Sequence, residues 1–424
     1  MSATSHGTNQ VRDILSRART AAAVLRQSSA EQRRLALTHV ARSIDQGSAA
    51  ILAANARDRT NAVGLPAALQ DRLLLTPERV HQMVRAVTEV AAQSDPLSER
   101  RSIGTGPSGI EVYRQRIPLG VIAIVYEARP NVTAECAALA LKSGNAVVLR
   151  GGKEAFASNQ AIWQAIRRGL EAAQLPLDSV VLIEDPSRSA VVELLGATGL
   201  VDLVIPRGGA GLMALVDEHA RVPVIRHGQG ICHVYIDAAA ELSMAVEIAF
   251  NAKVQRPGVC NAMETLLIHA ACLDPIMAVL GPRLAASGVQ LRADPASRES
   301  LARVGLPSTP VTAQDFDSEF QALILAIRTV ANVEEALAHI AQHGTHHTAA
   351  IVTHDKSVAE RFLSGVDASC VLWNASTRLN DGGALGLGAE MGISTSKMHA
   401  FGPMGATALT SEKFVVIGAG QVRV

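Results

Sequence analysis

The chain of 424 residues has few aromatic residues and no net charge. Aromatic residues make up 3% of it, and Lys+Arg and Asp+Glu number 39 each. Without an excess of positive charge, the sequence gives no reason to expect a nucleic acid or an anionic membrane surface as partner. The five cysteines are scattered without CxxC spacing, which is typical of reduced thiols in a cytoplasmic protein and not of a disulfide framework. We therefore expect a cytoplasmic protein that binds any anionic ligand locally.

Several targeting and nucleotide-binding patterns are missing. The N-terminus has no basic stretch followed by an apolar core, and no apolar run approaches 18 residues, so we expect neither a secretory signal nor a membrane span. The dinucleotide-binding motif GxGxxG is also absent. The two nearest matches, Gly228-Gln229-Gly230 and Gly418-Ala419-Gly420, both lack the final glycine. There is no P-loop, and the lack of a GxSxG elbow disfavours a serine hydrolase. A bound nucleotide must be held in another way.

The length of the chain suggests two or three domains, and its hydrophobic pattern predicts an α/β protein. Residues 11–93 have apolar positions at helical spacing, with breaks near Gly47, Gly64 and Pro77. Short β-branched runs separated by intervals long enough for crossover helices then predict a doubly wound parallel sheet. These runs are 121–126, 146–150, 180–183, 201–205 and 222–225. Ligands of such a sheet bind beyond the carboxyl ends of its strands.

A second alternating region follows, with a predicted strand at 232–236, a helix at 242–252 and a strand at 264–269. Before the first sheet, residues 110–117 alternate as a strand does. This strand can pair with another subunit, or it can form a hairpin that covers the protein's own core. The last fifty residues, rich in Gly, Thr and Ser, form either a loop that lines a cleft or an arm to a neighbouring subunit.

Cys260 is the residue around which the chemistry is predicted. It follows the Pro257-Gly258 turn and has Lys253 and Arg256 upstream. Only the thiolate is a useful nucleophile, and nearby cations lower the pKa of a thiol. A lone cysteine is often a buried packing residue, but a tight turn favours presentation into a cleft. We predict that Cys260 is the nucleophile and that Lys253 and Arg256 face the substrate.

Further candidates follow the strands of the first sheet. The Asn131 amide can donate to an oxyanion or cap the following helix. Arg150 and Lys153 can meet the ribose 2′-phosphate of NADP, or they are solvated surface charges. Arg207-Gly208-Gly209 can present backbone N–H groups to a phosphate, or it is a plain turn.

Five histidines cluster late in the chain, at His339, His343, His346, His347 and His354. We predict no metal site, because no cysteine or carboxylate pattern completes a ligand set. His346 or His347 is expected to line a substrate pocket instead.

Six segments, in order and spanning nearly the whole chain, resemble the gamma-glutamyl phosphate reductases. These enzymes, also called glutamate-5-semialdehyde dehydrogenases, belong to the aldehyde dehydrogenase superfamily. The segments are 126–133, 149–154, 206–210, 251–267, 374–378 and 402–405. The resemblance implies an aldehyde-dehydrogenase-like fold and the NADPH-dependent reduction of L-glutamyl 5-phosphate to L-glutamate 5-semialdehyde and phosphate. That reaction is the second step of proline biosynthesis from glutamate.

The resemblance also implies a division of the chain. The cofactor-binding domain comprises 1–103 and 118–230, and the catalytic domain comprises 231–373. Residues 104–117 and 395–424 form an oligomerisation element, and 374–394 line the cleft. A homo-oligomer is implied, with glutamate 5-kinase as a possible partner.

By the same resemblance, Asn131 is the oxyanion-hole asparagine and Glu319 holds the nicotinamide ribose. Residues matching the substrate-binding motifs are Arg129, Asn374, Ser376 and Thr377. One departure is that Arg226 and His227 stand where many relatives carry an acidic residue; they suit a phosphate anion. Two alternatives stay open: an acylating aldehyde dehydrogenase that uses coenzyme A thioesters, and a non-catalytic oligomeric nucleotide-binding module.

Overall fold

The computed structural model describes residues 5–226 and 228–423. The described residues form two compact units. The first unit takes the residues up to Arg226, then Gly386–Gly392, and then those from Met404 onward. The second unit takes the residues from Gly228 to Leu385 together with Ile393–Pro403. The two are described separately below.

The first unit opens with helices, as the sequence predicts, and their ends follow standard capping chemistry. Ser29 and Gln32 form a reciprocal capping box, and Thr76 caps a helix that begins at Pro77. Apolar stripes on these helices, such as Leu15 and Val40, are fully buried. The helices are α1 (Ser5–Gln27), α2 (Ala30–Gln46), α3 (Ser48–Asn61), α4 (Ala67–Leu73) and α5 (Pro77–Ala92).

Two strands and then four βα repeats follow. The strands of the hairpin are β1 (Arg100–Thr105) and β2 (Glu111–Pro118). The repeats are β3 (Val121–Tyr126), α6 (Asn131–Lys142), β4 (Ala146–Gly151), α7 (Phe156–Ala172), β5 (Val180–Leu182), α8 (Arg188–Leu195), β6 (Leu203–Arg207) and α9 (Ala210–His219). All pairs in this sheet are parallel, and its order is β5-β4-β3-β6. The predicted doubly wound parallel sheet is confirmed.

The predicted strand at 222–225 is wrong. Only one isolated bridge, between Val204 and Val224, joins this segment to the sheet. Pro223 stands in the middle of the run and has no N–H to donate to a ladder, although its carbonyl accepts from the Val204 N–H. The strand predicted at 201–205 is present as β6, but it begins two residues later. The Val201 N–H bonds the carbonyl of Ala197 in the preceding turn and so is not available to the sheet.

The second unit is built on a seven-stranded parallel sheet of order β10-β9-β11-β8-β7-β12-β13. Its elements begin with β7 (Cys232–Ile236), α10 (Leu242–Val254), β8 (Met263–His269), α11 (Leu273–Ala286), β9 (Gln290–Ala293), α12 (Pro295–Arg303), β10 (Thr309–Pro310) and α13 (Ala313–Phe316). They continue with β11 (Ile324–Val330), α14 (Val333–His343), β12 (Thr348–Val352), α15 (Lys356–Gly365) and β13 (Cys370–Trp373), and end with the short pair β14 (Ile393–Ser394) and β15 (Gly402–Pro403). The strands and helix predicted around Cys260 are confirmed.

A small antiparallel sheet in the first unit joins the early hairpin to the C-terminal strand β16 (Thr410–Ile417). In it β2 lies between β1 and β16, so the strand predicted at 110–117 pairs within its own chain. Phe414 and Val416 on β16 keep 59% and 54% of their surface exposed. Two of the larger apolar side chains of β16 thus remain open to solvent. Among the described residues, no helix is both long and apolar enough to cross a bilayer.

Candidate active site

Cys260 lies in the connection between α10 and β8. The helix ends at Val254, and the turn that follows Pro257 and Gly258 leaves Cys260 half-buried. The next residues return to the sheet, since the Ala262 N–H bonds the Val259 carbonyl just before β8 begins. The predicted order of helix, Pro-Gly turn and buried strand is present, and Cys260 lies in the connection between that helix and that strand.

The segment before β7 packs directly on the backbone of Cys260. A Cβ added at Gly230 would lie 2.7 Å from the Cys260 carbonyl carbon and 2.8 Å from its Cα. The Cys232 thiol donates to the Cys260 carbonyl oxygen at 3.1 Å. Burial raises the pKa of Cys232, so this thiol stays a protonated donor. In the sequence, Gly230 stands out only within a failed dinucleotide motif and Cys232 only as one of the scattered cysteines, and neither pattern indicated this contact.

Arg378 is the second residue that sequence reasoning left without a role. Its Nε donates to Gln255 Oε1 at 2.8 Å, and its Nη1 donates to Asn261 Oδ1. Asn261 Nδ2 in turn donates to the carbonyl of Asn380 at 2.9 Å. The guanidinium is thus fixed to two residues that flank Cys260. The signal was present, because Arg378 closes the 374–378 segment.

The other members of that segment are mostly engaged by the fold. The Asn374 amide bonds the Thr353 backbone twice, donating to its carbonyl at 3.0 Å and accepting from its N–H at 2.9 Å. Ser376 Oγ donates to Asn251 Oδ1 at 2.8 Å. Thr377 is fully buried, and its hydroxyl oxygen has no hydrogen-bond partner among the described residues. Of the three predicted substrate contacts, Thr377 alone keeps its side-chain polar group unused there.

Lys253 is placed differently from the sequence-based expectation. Its ammonium and the Glu264 carboxylate form an ion pair of 2.5 Å, with 0% and 1% of the two side chains exposed. Burial lowers the pKa of Lys253 and raises that of Glu264, against their mutual attraction. Glu264 Oε1 also accepts the backbone N–H of Gln321 at 3.2 Å. The charge of Lys253 is therefore taken up inside the unit.

Glu319, expected at the nicotinamide ribose, lies in the loop between α13 and β11 and is half-buried. Two residues on, Gln321 takes a left-handed backbone conformation with φ +51°. The bond from Gln321 to Glu264 ties this loop to the start of β8. The loop that carries Glu319 and the turn that carries Cys260 are thus connected through a buried ion pair.

In the first unit, Asn131 is the first residue of α6. The helix N-cap is Pro130 and makes no side-chain capping bond, so the capping interpretation of Asn131 is wrong. Its Nδ2 donates to Glu135 Oε1 at 2.9 Å, one helical turn on. Arg129 immediately precedes this helix and is half-buried. Both residues stand at the carboxyl end of β3, where the sequence predicts them.

Arg150 and Lys153 follow β4 but differ in their surroundings. The Arg150 guanidinium donates to the carbonyls of Pro186 and Ser187, the second at 3.1 Å. Burial lowers the pKa of Arg150. Lys153 lies in a short 3₁₀ turn and is exposed. Of the two cations, Lys153 is the one that faces solvent at the strand end.

The segment after β6 leads directly into α9. The Gly209 N–H donates to Glu127 Oε2 at 3.0 Å, and a Cβ at Gly208 would meet the carboxyl carbon of Glu127 at 2.7 Å. A Cβ at Gly209 or Gly211 would meet nothing within 4 Å. Arg207 packs against the backbone of Gly392. The N-terminal end of α9 therefore has open space beside Gly209 and Gly211, although the Glu127 carboxylate already occupies the Gly209 N–H and the space beside Gly208.

The histidines do not form a common site. His339 and His343 on α14 are buried around Phe316, with ring centroids 4.7 and 5.5 Å from it. Burial lowers the pKa of His339 to about 2. His346 is exposed, while His347 is buried with Nδ1 3.5 Å from the Cys232 sulfur. No group of three potential ligands among the described residues is arranged to hold a metal ion.

Arg226 and His227 stand at the position where the sequence is expected to depart from many relatives. Arg226 pairs with Asp217 at 3.0 Å. Both side chains are more than half exposed. His227 lies outside the described residues.

Comparison with known proteins supplies the family. The model of the aldehyde dehydrogenase family matches residues 1–298. The chain belongs to this family. A gamma-glutamyl phosphate reductase of Anaeromyxobacter sp. (strain K) is 48% identical over 416 residues, covering 98% of this chain and 97% of the relative. The relative of the same name from Salinibacter ruber (strain DSM 13855 / M31) is 49% identical over 405 residues, covering 95% and 92%.

A solved structure of the same kind extends the match to three dimensions. The gamma-glutamyl phosphate reductase of Thermotoga maritima has a TM-score of 0.91 and 41% identity, covering 98% of this chain and 100% of that one. Within the aldehyde dehydrogenases, the chain therefore belongs to the gamma-glutamyl phosphate reductases. The predicted resemblance and fold class are confirmed, and the chain is an oxidoreductase of this family.

Proposed function

We propose that the chain reduces L-glutamyl 5-phosphate to L-glutamate 5-semialdehyde and phosphate with NADPH, the second step of proline biosynthesis from glutamate. The observation that carries the proposal is Cys260 itself. In a chain of the reductase family, its backbone is fixed from behind by Gly230 and Cys232, and its half-buried thiol follows a Pro-Gly turn. A nucleophile held in place, with the Arg378 guanidinium bonded to residues on both sides of it, is what acyl transfer requires.

The first half of the reaction uses the chain's own residues. The Cys260 thiolate attacks the acyl carbon, and we assign the oxyanion to the Cys260 backbone N–H and the Asn131 amide. The carbon–oxygen bond to phosphate then breaks, its electron pair leaves with the phosphate, and a thioester remains on Cys260. Arg129 and Arg256 are assigned to the anionic substrate, together with Thr377. Lys253 is left out, since its charge is balanced by Glu264.

The cofactor-binding part of the first unit has features that suit a dinucleotide. There is open space beside Gly209 and Gly211 at the start of α9, so a pyrophosphate can approach backbone N–H groups there if it displaces the Glu127 carboxylate from the Gly209 N–H. We assign Arg207, Gly208 and Gly209 to the pyrophosphate, Arg150 and Lys153 to the 2′-phosphate side, and Glu319 to the nicotinamide ribose. When bound, NADPH supplies the hydride that brings the thioester to the aldehyde level. Release of the aldehyde returns the Cys260 thiolate.

Assembly and place of action are part of the proposal. The open face of β16, with Phe414 and Val416, supports the β1-β2-β16 sheet as an oligomerisation element. A thiolate nucleophile needs a compartment that keeps thiols reduced, which supports the cytoplasm. The enzyme that makes the acyl phosphate, glutamate 5-kinase, is the partner we propose, because an acyl phosphate hydrolyses if it diffuses freely.

The reverse reaction tests the proposal. The protein is incubated with glutamate semialdehyde, phosphate and NADP, and NADPH absorbance is followed. We expect turnover that requires phosphate, and loss of that turnover in Cys260→Ala. Cys370→Ala, which removes the other half-buried thiol among the described residues, is the matched control and should keep it. Turnover that ignores phosphate but requires coenzyme A would replace the substrate assignment. If the protein shows no turnover and Cys260 does not react with a thiol label, the chain is a nucleotide-binding module and not a catalyst.

A further inference from the structure

Arg378 is held against both sides of the Cys260 turn. One guanidinium nitrogen bonds Gln255, five residues before the nucleophile, and another bonds Asn261, the residue after it. Asn261 also donates to the carbonyls of Asn380 and Arg378, at 2.9 and 3.5 Å. The cation and the nucleophile therefore share one rigid network within the second unit. A displacement of Arg378 would displace the turn with it.

The charge of Arg378 is not neutralised by the bonds that fix it. Both recipients, Gln255 and Asn261, are neutral amides. Burial lowers the pKa of Arg378, and the charge of Arg256 acts in the same direction. The charge of Asp381 acts in the opposite direction and so, more weakly, do Cys260 and Cys232. Asp381 Oδ1 itself accepts the backbone N–H groups of Gly383 and Ala384. Arginine stays charged in proteins, so a partly desolvated cation remains beside the thiol.

A partly buried guanidinium without a counter-ion destabilises the protein, and a bound anion would offset that cost. A guanidinium has five N–H donors in a planar fork, and the two bonds above leave the Nη2 edge for a ligand. That edge matches two oxygens of a phosphoryl group. Lys253, the cation expected from the sequence to face the substrate, is already paired with Glu264. Arg378 is thus a cation that two neutral amides hold against this turn, and no carboxylate among the described residues forms an ion pair with its guanidinium.

We propose that Arg378 binds the phosphoryl group of the acyl phosphate and stabilises it as it leaves. The inference rests on the proposed function and names the residue that receives the leaving group. As sulfur bonds to the acyl carbon, the carbon–oxygen bond breaks and negative charge grows on the phosphate. A cation already fixed at this position needs no rearrangement as that charge develops.

Three variants test the assignment. Arg378→Gln removes the charge and keeps an amide donor, and Arg378→Lys keeps the charge without the fork. Arg361→Gln removes an exposed arginine of the same unit that pairs with Glu334, and is the matched control. In the reverse reaction, we expect KM for inorganic phosphate to rise roughly tenfold to hundredfold in Arg378→Gln, as for loss of a charge-assisted bond. KM for NADP should stay within about twofold, and Arg378→Lys should recover part of the phosphate affinity.

A second readout does not depend on turnover. Inorganic phosphate should slow the alkylation of Cys260 by iodoacetamide in the wild-type protein and in Arg361→Gln, but not in Arg378→Gln. A variant damaged only in structure would lose NADP affinity along with phosphate affinity and would not be rescued by lysine. The inference about Arg378 is overturned, and the proposed function is not, if KM for phosphate is unchanged in Arg378→Gln. The same holds if NADP and phosphate affinity fall together and lysine restores neither. A wild-type protein that does not use phosphate overturns the proposed function as well.

Discussion

Removing the Lys253 ammonium is expected to leave the Glu264 carboxylate buried without its counter-ion. The two side chains are 0% and 1% exposed, so water cannot take the place of the missing partner. Breaking a buried ion pair from one side typically costs about 3–5 kcal/mol of unfolding free energy. Lys253→Met keeps the length of the aliphatic stem, so the loss measures the charge and not a cavity.

The penalty is predicted to depend on pH with a definite sign. Burial already raises the pKa of Glu264, and loss of the cation raises it further. An acid whose folded pKa exceeds its unfolded pKa costs nothing below the unfolded value of about 4.3. The cost then grows by about 1.4 kcal/mol per pH unit as pH rises towards the folded pKa. The wild type carries this cost up to its own folded pKa of about 7, so Lys253→Met should match it at pH 5.5, where Glu264 is protonated in both folded proteins. Above that pKa the additional loss should grow to about 1.4 kcal/mol at pH 8, below the typical cost of a broken buried pair because Glu264 takes up a proton instead.

Urea denaturation at the two pH values, followed by circular dichroism, gives the midpoints. Lys253→Met with Glu264→Leu removes both charges and should recover most of the loss. Arg283→Met breaks the exposed pair with Glu247 and should leave the midpoint almost unchanged. The reasoning is refuted if Lys253→Met matches the wild type at pH 8, or if its loss is the same at both pH values.

Three further predictions concern the turn and the small sheet. Gly230→Ala should lower kcat/KM at least about tenfold, because the new Cβ would displace the Cys260 backbone. Gly228→Ala is the control and should have a smaller effect, since its Cβ would meet only the Thr395 side chain, at 3.1 Å. Steady-state kinetics of the two variants tests this. Cys232→Ala should keep one reactive thiol per chain in an iodoacetamide titration, since it removes a hydrogen bond and not the nucleophile; loss of the reactive thiol would contradict this. Phe414→Asp should reduce the mass measured by light scattering, because it charges an apolar side chain on the open sheet; an unchanged mass would exclude this face.

Much of the fold could be predicted because its signals are local. The β-branched runs at β3, β4 and β7 are fully or almost fully buried strands whose bounds differ from the prediction by at most one residue. The run at 222–225 has the same composition, but Pro223 prevents a ladder there. The apolar pattern of these four residues predicts a strand, and that pattern does not register that one of them lacks a backbone N–H.

The site could be predicted only in part, for a different reason. The Pro-Gly turn indicated Cys260 from its own sequence. Whether Lys253 meets the substrate or a carboxylate depends on Glu264, which lies on the other side of the turn and in the strand that follows it. Likewise the roles of Gly230 and Arg378 arise from contacts with residues about 30 and about 120 positions away. Long-range packing of this kind leaves no periodic trace in the sequence.

The path of the chain has a consequence for biosynthesis. It passes from one unit to the other after Arg226, Leu385, Gly392 and Pro403, so the first unit contains residues from Met404 onward as well as the residues up to Arg226. Strand β16 pairs along the whole of β2, and the buried Asn145 amide donates to the Leu409 carbonyl at 2.8 Å. The first unit therefore cannot complete its hydrogen bonding before residues 409–417 have been synthesised. A stop codon before Leu409 would leave β2 paired with β1 alone and the buried Asn145 amide without this acceptor, which would harm a part of the protein that was made much earlier.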